Sequence, residues 1–150
     1  MIVAVTGVPG TGKTRLAKEI SIRYGLKYVD VLSLIQKYGL GYDYDKVRDT
    51  FEVDVDELNK YLLEMKDVVI DSHLSHHLPF KFVDYCVVCR CSLKELKERL
   101  VLRGYNSLKV KENLEAEAFE VCKVEAEENG HKILDSSRED FFQMMDWLIE

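Results

Sequence analysis

The chain has 150 residues, 47% of them apolar, with a formal net charge of −6 and a pI near 5.3. That length suits one domain with a real core, and the acidic balance offers no overall attraction for nucleic acid, so no direct nucleic-acid partner is expected. There is no apolar run long enough to cross a bilayer and no leader or lipidation signal; the four cysteines are not spaced as a disulfide framework, and a cytoplasmic protein is expected.

Residues 2–5 are continuously apolar, Thr6 and Gly7 open a glycine-rich turn, and Leu16, Ala17, Ile20 and Tyr24 recur at helical spacing. A short strand over 28–31 precedes a helix through Leu34 and Ile35, which Gly39 and Gly41 end. Residues 41–53 show no clear period and are expected to form a mobile loop, where Arg48 could grip a second substrate. Leu58, Tyr61, Leu62 and Met65 mark a helix that Asp54 or Asp56 could cap, and Val68, Val69 and Ile70 a buried strand ending in Asp71. Residues 83–89 read as a further strand, and Leu93, Leu96 and Leu100 place the next segment on a helix closing at Gly104. Val110, Leu114, Ala118 and Val121 predict one long helix whose acidic residues (Glu115, Glu117, Glu120, Glu125) form a solvated face. Residues 132–134 are the last strand, and Phe141, Met145 and Leu148 lie along a closing helix. Continuously apolar strands separated by helices imply a parallel sheet covered on both faces: an α/β fold in a single domain, 1–150.

Gly7-Val8-Pro9-Gly10-Thr11-Gly12-Lys13-Thr14 matches the phosphate-binding pattern GxxxxGK[ST] between a predicted strand and a predicted helix. Its glycines let successive backbone N–H groups turn inward at a helix N-terminus, which favours an anion. Lys13 would supply a charge to the β- and γ-phosphates of ATP, and Thr14 a hydroxyl to Mg²⁺. The motif establishes nucleotide phosphate binding and leaves kinase, GTPase and ATPase open.

Asp71, at the end of a buried strand, suits the Mg²⁺-holding carboxylate of such a site; the competing role is a cap on the next turn. His73, two residues on, could orient a water or relay a proton, or be an ordinary loop histidine. His76 and His77 invite a zinc reading with the cysteines, but Cys86 and Cys89 face opposite sides of their strand and no second CxxC pair exists, so buried core thiols account for them better. Arg99 and Arg103, four apart on one helix, share a face that could clamp phosphates or pair with Glu95 and Glu98.

Taken together, GVPGTGKT, VVIDSHLSHHLP and RLVLRGYNSLKVKENLEAEAFEV resemble the adenylate kinase isoenzyme 6 family, particularly its short archaeal members, over essentially the whole chain. The resemblance implies a three-layer P-loop fold like that of the nucleoside monophosphate kinases, with a five-stranded parallel sheet, a monophosphate-binding region near residues 31–66 and a short lid near 99–111. It implies ATP and Mg²⁺ contacts at Gly10, Thr11, Gly12, Lys13 and Thr14, a modified Walker B pair at Asp71 and His73, and lid residues at Arg99 and Arg103, and it also points to Asn113 and Glu117 in the helix beyond. The implied reaction is ATP plus AMP giving two ADP, together with ATP hydrolysis, and the implied partner is a small-subunit ribosomal protein during rRNA maturation. Arg15 stands where a second Thr commonly follows the motif, which alters the contact expected at the α-phosphate. An ATPase switch acting on a protein partner is the rival reading, and a kinase for another small metabolite a third.

Overall fold

The computed structural model describes residues 1–45, 50–53, 55–72 and 75–149, with the backbone alone for 41–45, 50–53 and 55. Arg48, Asp54 and His73 therefore lie outside the described residues or side chains. The first half of the chain runs β1 (Ile2–Thr6), α1 (Lys13–Tyr24), β2 (Lys27–Asp30), α2 (Val31–Tyr38), β3 (Gly41–Asp45), β4 (Thr50–Val53), α3 (Val55–Leu62) and β5 (Val68–Asp71). A 3₁₀ turn (Ser75–His77) then leads to β6 (Tyr85–Val88), α4 (Leu93–Leu102), α5 (Ser107–Ala118), α6 (Val121–Glu128), β7 (Ile133–Asp135) and α7 (Phe141–Ile149).

Five strands form one parallel sheet in the order β2-β5-β1-β6-β7. Alternation along each strand divides its side chains between two cores. Ala4, Val29, Ile70 and Cys86 face α2, α3 and α6 through Val31, Leu58, Leu62 and Ala126. Val3, Val5, Val69, Val87 and Cys89 face α1 and α7 through Ala17, Ile20, Phe141 and Met145. Helices on both faces make the three-layer arrangement, and each fully buried branched side chain contributes about 1.5–3 kcal/mol through removal of apolar surface from water.

β1 is central, and its register with β5 sets Val5 opposite Asp71. The loop that follows Thr6 and the carboxylate that ends β5 therefore emerge side by side at the C-terminal edge of the sheet, where open parallel sheets place their ligand crevices. α4 backs the loop from beneath: Val8 packs with Leu96 and Leu100 in a third cluster that Val110 and Cys122 complete.

Four expectations change. Residues 41–45 and 50–53 form an antiparallel two-stranded ribbon, with Gly41 opposite Val53 and Asp45 opposite Thr50, where an unpatterned loop was expected. Tyr42 and Tyr44 alternate with Asp43 and Asp45, a period of two too short to stand out in a longer window. The single long helix after residue 107 is two helices, because Glu120 adopts a left-handed backbone (φ 55°) between α5 and α6. No glycine or proline marks that break. Nor are its acidic residues a solvated face: Glu117 is buried, and Glu117, Glu120 and Glu125 all have cationic or imidazole partners, leaving Glu115 exposed. Asp56 sits within the first turn of α3, not before it.

Candidate functional site

The loop between β1 and α1 is held through its carbonyls, by Thr11 from within and by Arg99 and Cys89 from outside. Thr11 donates both its N–H and its hydroxyl to Val8 O, at 3.2 and 2.7 Å. Arg99 Nη1 donates to Gly10 O at 3.1 Å, and Cys89 Sγ to Thr11 O at 3.4 Å. A loop whose carbonyls are turned to protein donors leaves its amides for an anion at the start of α1. Glycine is required at two points of closest approach. A Cβ on Gly7 would stand 2.7 Å from Cys89 O, and one on Gly10 would stand 3.0 Å from Leu96 and Leu100, with φ already at +92°.

At the mouth, Thr14 Oγ1 donates to Asp71 Oδ2 at 2.8 Å, and the phenol of Tyr28 donates to the same oxygen at 2.7 Å. Asp71 is itself buried. Burial pushes the Tyr28 hydroxyl well above its ordinary value, reinforced by Asp71, so it remains a protonated donor. Lys13 lies beside this group with its ammonium 3.4 Å from Val8 O. Burial holds the Lys13 pKa below its ordinary value, Asp71 opposes that shift, and the positive charge of Arg103 adds to it. Two cations facing one another across a cleft lined by loop amides make a place that an anion relieves. That cleft is a cavity of about 880 Å³, whose lining includes Gly10, Gly12, Lys13, Thr14, Arg15 and Arg103.

The residues singled out in the sequence thus occupy distinct positions. Gly12, Lys13, Thr14, Arg15 and Arg103 line the cavity, and Asp71 stands at its edge through Thr14. Thr11 is buried with its hydroxyl engaged inside the loop, and Arg99 braces the loop at Gly10 while approaching Glu95 at 3.9 Å. Tyr28 escaped sequence reasoning because a tyrosine on a short strand carries no motif; only the β2–β5 register brings it to Asp71. Arg90 escaped it too. Its guanidinium, just past β6, pairs with Glu117 at 2.6 Å and with Glu120.

Comparison with known proteins follows the same lines. A family model described as an AAA domain matches residues 3–120. A protein of Methanocaldococcus jannaschii named "Putative adenylate kinase" is 36% identical, with 100% of this chain and 85% of that protein aligned. One of the same name from Thermococcus onnurineus is 41% identical over 90% of this chain and 73% of its own length. Among solved structures, a shikimate kinase from Acinetobacter baumannii in complex with shikimate superposes with a TM-score of 0.64 at 11% identity, covering 99% of this chain and 90% of that one. That likeness speaks to the fold, whereas the archaeal relatives speak to descent. With its phosphate loop, five-stranded parallel sheet and strand-end aspartate, this chain belongs to the archaeal adenylate-kinase-like family of P-loop proteins.

Proposed function

We propose that the protein is a phosphotransferase that moves the γ-phosphoryl group of ATP to a nucleoside monophosphate, AMP before others, giving two ADP, and that it hydrolyses ATP when water takes the acceptor's place. The observation that carries this reading is the meeting of Thr14, Asp71 and Lys13 at the start of α1, with Arg103 across the cleft. The archaeal relatives bearing the adenylate kinase name support the choice of acceptor. A hydroxyl hydrogen-bonded to a buried carboxylate is a hard oxygen pair of the kind Mg²⁺ prefers, so Thr14 and Asp71 would hold that ion, which neutralises phosphate charge when bound.

In the reaction an oxygen of the AMP phosphate forms a bond to the γ-phosphorus as the bond to the departing ADP breaks. The loop amides and Lys13 bind the β- and γ-phosphates, and Arg103 meets the charge on the transferred group. Gly10, Gly12 and Arg15 contribute contacts along the triphosphate, and Arg99 fixes the loop through Gly10. Residues 31–66 form the acceptor region and 99–111 the lid of one domain. His73, on sequence grounds alone, helps orient the attacking group. The link to a small-subunit ribosomal protein rests on the family resemblance, and accumulation of immature small-subunit rRNA on depletion is its test.

The direct test is purified protein with Mg-ATP, with and without each nucleoside monophosphate, following ADP and free phosphate separately. AMP-dependent ADP formation is expected; phosphate release that no monophosphate redirects would overturn the kinase reading. Lys13→Ala should lower turnover about 10²–10³-fold, the usual loss when one charge-stabilising donor is removed.

A further inference from the structure

Behind the phosphate loop, on the opposite side of Thr6, lies a cluster that phosphotransfer does not use. His76 and His77 close the 3₁₀ turn five residues beyond Asp71, and Glu125 reaches them from α6. His76 Nε2 stands 2.6 Å from Glu125 Oε2, and His77 Nε2 stands 3.6 Å from the same oxygen. We propose that His76, His77 and Glu125 form a binding site for a divalent transition-metal ion of the zinc class, with a fourth position open to water.

The first support is the ligand set. Two imidazoles and one carboxylate are borderline donors suited to Zn²⁺, and their ligand atoms all lie within 4.8 Å of one another. Bonds of about 2.0–2.1 Å in a tetrahedron separate ligand atoms by roughly 3.3 Å. The His77 distance is already near that value. The His76 contact must open by about 0.7 Å to reach it, a movement available to Glu125, whose side chain is 39% exposed.

The second support is the shell around His76, which is buried to 2% exposure. Its Nδ1 lies 2.6 Å from the hydroxyl of Thr6, the residue just before the phosphate loop. Its carbonyl accepts from Asn129 Nδ2 at 3.0 Å and from His131 Nε2 at 2.7 Å. Ser75 donates its hydroxyl to Val5 O at 2.8 Å, so the turn is pinned to β1 as well. Ligating histidines characteristically have the second ring nitrogen tied down in this way, which sets ring orientation before the metal arrives.

The third support is the contact a metal would replace. His76 Nε2 and Glu125 Oε2, 2.6 Å apart, are joined by a single shared proton. A metal ion takes the position of that proton, which leaves to solvent, and His77, half-exposed, forms the entry side. The ion would fasten the segment that follows Asp71 onto α6.

The test uses the full chain, stripped with a chelator and free of nucleotide, titrated with Co²⁺ and then challenged with Zn²⁺. One cobalt per chain is expected, with tetrahedral or five-coordinate ligand-field absorption, no thiolate-to-cobalt charge-transfer band and displacement by Zn²⁺. His77→Asn and Glu125→Gln, both at partly exposed positions, should each weaken binding at least about tenfold, with unchanged circular dichroism showing that the fold is kept. Absence of the cobalt spectrum, a thiolate band implicating the cysteines, or unaltered affinity in both variants would overturn the proposal.

Discussion

Asp71 receives Thr14 and Tyr28 on one carboxylate oxygen, so the phenol is part of what orients the group at the edge of the phosphate cavity. Replacing Tyr28 by Phe keeps the ring and removes the donor. With Asp71 holding Mg²⁺ as proposed, loss of a supporting hydrogen bond of this kind weakens the ion about tenfold or more, whereas the stability cost of one such bond is about 1 kcal/mol. Tyr28→Phe is therefore expected to raise the Mg²⁺ concentration needed for half-maximal turnover by about tenfold while unfolding at nearly the parent denaturant midpoint. An unchanged Mg²⁺ dependence would reduce Tyr28 to a packing role.

Arg90 fastens elements together. It leaves β6 and ties the end of α5, through Glu117, to the start of α6, through Glu120, at the left-handed break between them. Glu117 is 3% exposed, and burial raises its carboxyl pKa above the ordinary 4.5 although Arg90 opposes the shift. Removing the guanidinium strands a buried acid, so Arg90→Ala should cost about 3 kcal/mol in denaturant unfolding at neutral pH. The sign of its pH dependence follows from the raised value. A carboxyl whose folded pKa lies above its unfolded pKa favours folding while protonated, below the ordinary 4.5, and loses that contribution as pH rises through the folded value. The deficit of Arg90→Ala should accordingly be smallest in acid and grow toward neutrality. A deficit independent of pH would show that packing, not charge, is what Arg90 supplies.

Across the whole molecule the thiols report on core closure. Burial pushes Cys86 up to about 12 and Cys122 up to about 11 from an ordinary 9.0, and Cys89 is raised for the same reason. Alkylation at neutral pH should spare these three in the folded chain and reach all four cysteines after unfolding, as counted by mass spectrometry. Above pH 9 the unfolded chain gives up thiol protons that the folded chain keeps, so stability should fall as pH rises from about 9 toward 11. At this scale no described helix is long and apolar enough to cross a membrane. The five strands, the helices of both layers and the phosphate loop were legible in the sequence because their signals are local: periodicity of apolar residues, and glycines where the loop turns. The β3–β4 ribbon was not, its alternation being too short, nor was the break at Glu120, which a side chain held by Arg90 maintains without glycine. The amino-acid sequence by itself determined where the glycine-rich loop would turn and which strand would deliver an aspartate beside it. Tertiary structure alone decided that Tyr28 meets Asp71 across 43 residues of chain, Arg90 meets Glu117 across 27 and His76 meets Glu125 across 49. Such pairs depend on strand register and helix docking, and nothing in the local sequence of either partner encodes the other.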